Sequence, residues 1–306
     1  MYSIQQLAII GATASGKTSL AIKLAHKINA HILSLDSLSV YKEIDIVSAK
    51  PTKEEQEGIV HFGINILSPH ESFDVKLFID LYHSVYAQCV KEEKNLIIVG
   101  GTSFYLKMLI EGISQTPSIS EKTKKEVQNK LLDKEDTYKW LLELDPHYMS
   151  NIASKDSYRI EKALEIYIET SLIPSEYFKR FPPIVSIQGD LPIYQITWER
   201  SLLRKRIAQR TLIMLESGLI DEVCNLEAKY TRTPNAMKSI GIKETLAYLD
   251  GIYNKEMLIE KITTNTARLA KRQTTFNNSQ FRDVVRGSLE ELEEYLISSY
   301  SSLLTV

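Results

Sequence analysis

The sequence predicts an α/β fold: a parallel sheet covered by helices on both faces, interrupted by an all-helical insertion. Three observations carry this. The runs Leu7–Ile10 and Leu96–Val99 are wholly apolar and end in glycine, as strands buried on both faces do. Helical spacings separate these runs, the order that gives parallel strands joined by crossovers. After Gly112 strand character disappears until about residue 190.

Leu7-Ala8-Ile9-Ile10 is the first strand. A glycine-containing loop leads into a helix from Lys17 to about Asn29, with Leu20, Ile22, Leu24 and Ile28 on its core face. His31 to Leu35 alternates as a second strand ending at Asp36, and Ile64 to Leu67 is a third. The spacing of Leu77, Phe78, Leu81, Tyr82 and Val85 predicts a helix over Val75 to Lys91, and Leu96–Val99 is the fourth strand. Glu121 to Thr170 shows only helical periodicity, and Pro174, Pro182, Pro183 and Gly189 then break the chain. Ile193 to Thr197 returns to strand character and rejoins the first sheet; Glu199 to about Ile297 is mostly helical, and Ser298 to Ser302 is a frayed tail. Residues 1–112 and 191–306 therefore form the α/β core, and 113–190 a helical insertion.

With 306 residues, 43% of them hydrophobic, the chain can bury a full core. A net charge of −2 announces no nucleic acid, although a net value can hide local basic faces. Cys89 and Cys224 are too few and too far apart for a disulfide framework or a metal-ligand set, which points to a reducing compartment, and the six histidines do not cluster. Met1–Gln6 lacks the basic start and apolar run of a signal peptide, and the apolar runs are too short to span a bilayer. The expectation is a cytoplasmic protein that does not enter the membrane.

Gly11-Ala12-Thr13-Ala14-Ser15-Gly16-Lys17-Thr18 matches G-x-x-x-x-G-K-[ST] in full and lies between a strand and a helix, the context that makes the match meaningful. The glycines let the backbone wrap an anion with its N–H groups turned inward, and the helix N-terminus adds positive potential. Lys17 is placed to bridge phosphate oxygens and the Thr18 hydroxyl to help hold Mg²⁺. The core is thus a P-loop NTPase-like α/β unit. The loop specifies a polyphosphate but not the bond broken: kinases, nucleotide hydrolases and pyrophosphate-releasing transferases all remain open.

Asp36-Ser37 closes the second strand, beside the first in the simplest topology, which puts a carboxylate at the mouth of the phosphate site. It can hold Mg²⁺ through water, take a proton from a nucleophile, or cap a turn. The fourth strand ends in Gly100-Gly101-Thr102 rather than in aspartate, which argues against a nucleotide hydrolase.

Several segments in order resemble the tRNA dimethylallyltransferases (isopentenyltransferases) of bacterial type: the P-loop, Asp36–Tyr41, Ala49–Thr52, His61–Ile64, Val99–Lys107, Leu144-Asp145-Pro146, Asp156–Arg159, Ile240–Glu244 and Thr266–Gln273. They span roughly residues 7 to 281. The resemblance implies that the loop holds dimethylallyl diphosphate and that the acceptor is the N6 amine of the adenosine 3′ to the anticodon in tRNA. It implies that Asp36 is the proton acceptor, that Thr13 contacts the diphosphate, and that Lys238 stands at a cation position where arginine is usual. It further implies that Asp36, Ser37, Leu38, Ser39, Thr102, Tyr158, Arg159, Ile160, Glu161 and Lys162 border the tRNA, with the insertion gripping the anticodon arm.

The chain departs from the family pattern at Ala12 (commonly proline), at Ser39 (commonly glutamine) and at Thr274–Asn278 (commonly tryptophan and arginine). No two-cysteine, two-histidine finger follows, and a monomer with no obligate protein partner is expected. Two basic stretches, Glu199–Arg210 and Arg268–Arg286, either track phosphates or are solvated faces; Trp140 and Trp198 read as packing residues. A small-molecule or nucleotide kinase is the alternative. It explains the loop and Asp36 but not the insertion. A third reading, a non-catalytic RNA-binding module, leaves Lys17, Thr18 and Asp36 without a purpose.

Overall fold

The computed structural model describes residues 4–301. The chain divides into two compact units. One takes in the residues up to Lys107 and again from Ile187, and the other is Met108–Ser186. The boundaries thus fall a few residues before those drawn at 112/113 and 190/191.

Six strands form one parallel sheet: β1 (Gln6–Gly11), β2 (Ala30–Leu35), β3 (His61–Phe62), β4 (Asn95–Gly100), β5 (Ile193–Ile196) and β6 (Val284–Gly287). Their spatial order is β3-β2-β4-β1-β5-β6, and every pairing is parallel. The first unit also contains α1 (Lys17–Ile28), α2 (Val75–Glu92) and the start of α3 (Ser103–Glu111). The second unit holds α4 (Glu121–Lys130), α5 (Lys134–Leu144), α6 (Pro146–Met149), α7 (Ser157–Thr170) and α8 (Pro174–Arg180). The chain then returns to the first unit with α9 (Arg200–Glu216), α10 (Leu219–Tyr230), α11 (Ile242–Leu249), α12 (Lys255–Gln280) and α13 (Leu289–Ser301).

Alternation along the strands divides the core. Leu7, Ile9, Ile32, Ile97, Tyr194 and Ile196 join α1 and α13 in one cluster. Ala8, Ile10, Leu33, Leu96 and Ile98 are buried on the other face, where α2 meets β2 and β4, and α12 meets β1. Burial on both faces is why β1 and β4 carry the unbroken apolar runs Leu7–Ile10 and Leu96–Val99. In the second unit Val127, Leu141, Met149, Ile160 and Leu164 make a separate small core. Four of its helices, α4 to α7, start on side-chain caps at Ser120, Asp133, Asp145 and Asp156. Asp145, 2% exposed, caps α6 through Tyr148 N–H and also accepts from Ser175 N–H at 2.7 Å, so the Leu144-Asp145-Pro146 segment is a structural joint.

Four expectations are corrected. The third strand is His61–Phe62, because Asn65 adopts a left-handed φ of 58° and turns the chain out of the sheet; Leu67 makes only an isolated bridge to Tyr41. The second strand does not lie beside the first, since β4 returns between them. The edge strand β6 has no counterpart in the sequence reading, being four residues long, with two of them exposed. Ser298–Ser301 are helical: Leu292 and Leu296 anchor α13 against α1. Ser302 lies outside the described residues.

Candidate active site

The loop between β1 and α1 is shaped by two left-handed residues, Ala14 (φ 63°) and Gly16 (φ 92°). A Cβ on Gly16 would also meet the tip of the Leu289 side chain, which can move aside, at 2.8 Å, so it is the backbone conformation that favours glycine there. No side chain caps α1, which leaves its first-turn N–H groups for an anion. The Lys17 ammonium donates to the Ala12 carbonyl at 2.7 Å, Arg206 Nε to the Ala14 carbonyl at 2.8 Å, and Trp198 Nε1 to the Ser15 carbonyl at 3.0 Å. Arg210 donates to Thr13 Oγ1 at 3.2 Å. The Thr13 N–H donates to Gln273 Oε1 at 2.9 Å, and Gln273 Nε2 donates in turn to the Gly101 carbonyl at 3.0 Å.

The second strand corner faces this loop. Asp36 Oδ1 accepts from Leu38 N–H at 2.8 Å and Ser39 N–H at 3.2 Å, while Oδ2 has no such bond among the described residues. The turn role and the site role therefore coexist, one on each oxygen. Ser37 N–H donates to Thr102 Oγ1 at 3.1 Å and Thr102 N–H to the Leu35 carbonyl at 3.0 Å, tying the β2 and β4 corners together. Although β4 separates the strands, the charges interact. Burial pushes Lys17 down to about 7, the Arg210 charge pushes the same way, and the Asp36 carboxylate opposes both. Burial also lowers Arg210, again against Asp36.

Loop and corner open on one cavity of about 1250 Å³. Thr13, Ala14, Ser15, Gly16, Lys17 and Thr18 line it, as do Asp36, Ser37, Leu38, Ser39 and Thr102. Gly11 and Ala12 are buried behind the loop. Arg206, Arg210, Arg272 and Gln273 complete the lining from α9 and α12. Elsewhere in the lining, His61 Nε2, Ser103 Oγ, Ser239 Oγ and both amide atoms of Asn277 are buried and make no hydrogen bond to the described residues.

Two expected site residues are placed elsewhere. Lys238 ends a 3₁₀ turn, is exposed, reaches only Asn235 Oδ1 at 3.5 Å and does not line the cavity; the cation against Thr13 is Arg210. Ile160 is 1% exposed in the core of the second unit, so its side chain offers nothing to RNA. Its neighbours do present themselves. Tyr158 is 70% exposed, with Lys162 Nζ 5.8 Å from its ring, and Arg159 pairs with Asp156 at 3.0 Å. Glu161 is half-buried.

From the sequence, Arg206, Arg210 and Gln273 have no individual role and Trp198 reads as a packing residue; Trp198 does pack against the core and also donates to the loop. The signal for the arginines was their i, i+4 spacing beside the buried stripe Leu203, Ile207, Thr211, which puts both on one edge of α9.

Thr18 and Asp36 are the side chains suited to a divalent cation here. Among the described residues no group of three or more His, Cys, Asp or Glu could hold a metal. That donor set fits Mg²⁺, which keeps several waters and takes one or two side chains plus substrate phosphates.

The IPP transferase family model matches residues 39–280. The chain belongs to the IPP transferase family. Within relatives of this family, it is 66% identical to a tRNA dimethylallyltransferase of Sulfurovum sp. over 96% of this chain and 98% of that one. It is 57% identical to another, from Sulfurimonas denitrificans, over 96% and 99%. Among solved structures, a tRNA isopentenylpyrophosphate transferase from Bacillus halodurans superposes with a TM-score of 0.69 at 29% identity, covering 99% and 100% of the two chains. A eukaryotic dimethylallyltransferase captured acting on tRNA superposes at 0.84 with 26% identity, covering 98% of this chain and 77% of that one. Among the described residues no helix is long and apolar enough to cross a membrane.

Proposed function

We propose that this protein transfers the dimethylallyl group of dimethylallyl diphosphate to N6 of the adenosine 3′-adjacent to the anticodon in tRNA, releasing diphosphate. The carrying observation is that an anion cradle and the Asp36 carboxylate open on one cavity of about 1250 Å³, in a chain 66% identical to a tRNA dimethylallyltransferase. The loop N–H groups, Lys17 and Arg210 bind the diphosphate. As the allylic carbon–oxygen bond lengthens, charge grows on the departing oxygen beside Thr13 and Arg210, where fixed donors stabilise it most. The adenine is extruded from its stack to reach the cavity. Its N6 forms the new bond to the allylic carbon, Asp36 Oδ2 takes the proton that N6 loses, and the bonding pair leaves with the diphosphate. Thr18, with Asp36 through water, would hold Mg²⁺, which supplies charge neutralisation on the diphosphate. Tyr158, Arg159 and Lys162 provide a stacking face and cations for the anticodon arm. The reaction belongs to the cytoplasm, where tRNA and the reducing conditions suited to Cys89 and Cys224 coexist, and one copy of the chain suffices for it.

Purified protein should move label from dimethylallyl diphosphate to tRNA carrying adenosine at that position and should leave ATP intact. Label passing only from ATP to a small acceptor would establish the kinase reading in its place.

A further inference from the structure

The phosphate loop is also held by two side chains to which the reaction assigns no chemistry. Trp198, which follows β5, donates from its indole N–H to the Ser15 carbonyl at 3.0 Å. Arg206, two turns into α9, donates through Nε to the Ala14 carbonyl at 2.8 Å, and its guanidinium lies 4.6 Å from the Trp198 ring centroid. The two side chains thus hold each other and two successive peptide carbonyls. Neither is adjacent in sequence to the loop.

A peptide whose carbonyl is held on one side turns the N–H of the following residue to the other. Holding the Ala14 and Ser15 carbonyls therefore fixes the N–H groups of Ser15 and Gly16, central donors of the cradle. The geometry is costly without support. Ala14 sits at φ 63°, a left-handed region that a non-glycine residue keeps only where its surroundings impose it. We infer that Trp198 and Arg206 form a brace that keeps the phosphate loop in its anion-binding shape before substrate arrives. They are positioning residues, and their effect falls on the diphosphate half of the reaction. Arginine suits the task because only a planar fork can stack on the indole and still donate sideways through Nε. The inference uses the Proposed function for the identity of the substrate, but the brace itself concerns any diphosphate.

The test measures binding of inorganic pyrophosphate with Mg²⁺ by calorimetry, beside prenyl-transfer kinetics, for the wild type, Trp198→Phe, Arg206→Gln and Arg206→Lys. Each variant should weaken pyrophosphate binding about 5- to 10-fold, the worth of a hydrogen bond that orients charge-binding donors. KM for the prenyl diphosphate should rise in proportion, with KM for tRNA unchanged. Arg206→Lys keeps the charge but loses the stacked fork, so it should resemble Arg206→Gln. Full rescue by lysine would reduce Arg206 to a diffuse positive charge and overturn the brace. Unchanged pyrophosphate affinity in Trp198→Phe, or a loss confined to tRNA binding, would overturn it as well. If an Arg206 variant does not fold, Trp198→Phe decides, because it keeps the aromatic ring and removes only the indole donor. Wild-type protein that binds pyrophosphate through the brace yet prenylates no tRNA would leave this inference standing and remove the Proposed function.

Discussion

The phosphate-loop wall of the cavity and the rest of its lining are built on opposite principles. On the phosphate-loop side the polar groups are already engaged: the carbonyls of Ala12, Ala14 and Ser15 are held by Lys17, Arg206 and Trp198, and Thr13 is held by Arg210 and Gln273. Elsewhere in the lining His61, Ser103, Ser239 and Asn277 keep buried polar atoms that no described residue bonds. The loop wall is finished by the protein's own groups, while the other atoms are left for water or a bound molecule to satisfy. A buried polar atom without a partner costs roughly 1–3 kcal/mol. The contrast fits a site that grips a small, invariant anion rigidly and meets a larger acceptor on an adaptable surface.

The strongest way to sharpen this contrast is Asp36→Asn, which touches the packing of neither region. Turnover should fall by roughly 10² or more, the usual worth of a general base, while filter binding shows tRNA affinity nearly intact. Lost affinity with unchanged turnover would remove Asp36 from the chemistry. Arg210→Gln should come next. It strips the cation from Thr13 and should raise KM for the prenyl diphosphate by about tenfold or more, since hydrogen bonds to charged groups are worth about 1.5–3 kcal/mol. Lys238→Gln should leave that constant unchanged.

The finished wall also predicts a proton signature. Burial holds Lys17 at about 7 in the fold against an ordinary 10.5, so between those values this side chain carries more protons unfolded than native, until near pH 9 the Cys89 thiol, pushed up by burial, begins to offset it. The stability of the free protein should therefore rise with pH from 7 towards 9, as urea melts at pH 7, 8 and 9 will show. A bound diphosphate favours the charged ammonium. Binding should then take up a proton above pH 7, and affinity should weaken up to about tenfold per pH unit until the bound-state pKa is reached. Calorimetry in buffers of different ionisation enthalpy measures the uptake, and Lys17→Met should abolish it. The smallest effect belongs to the lining atoms that no described residue bonds. Asn277→Leu replaces two unpartnered amide atoms by an apolar group of similar size, and the thermal midpoint should hold or rise, by an amount equivalent to about 1 kcal/mol. A marked fall would mean that the amide is satisfied by ordered water in the free protein.

The same contrast explains what the sequence disclosed. The loop from Gly11 to Thr18 was legible because its chemistry is local, an unbroken string between one strand and one helix. Asp36 was legible as the end of an alternating strand, but that strand's neighbour was not: strand order depends on where each crossover returns, and β4 came between β1 and β2. Arg210, Gln273 and Trp198 reach the loop from far along the chain, and no spacing rule links them to it. Lys238 was chosen by its place in a motif, yet that motif proved architectural: Glu244 accepts from Gly241 N–H at 2.7 Å and from Asn265 Nδ2 at 2.7 Å to start α11. Lys50 likewise ties Asp45 and Asn65 within the loop that follows Asp36. In the second unit, Ile160 sits amid exposed neighbours because a helix turns every third or fourth residue inward, a periodicity that a contiguous motif hides.

The packing of α13 on α1 bears on how the molecule is made. Leu292 and Leu296 cover the apolar side of the helix that begins with Lys17, and Glu293 reaches Lys23 at 2.6 Å. A nascent chain therefore displays that greasy surface until the residues around Leu292 leave the ribosome. At roughly 5–20 residues per second the wait is on the order of 10–60 s. Chaperone occupancy during translation should concentrate in that interval, and ribosomes stalled before Leu289 should carry a chain that does not yet retain pyrophosphate.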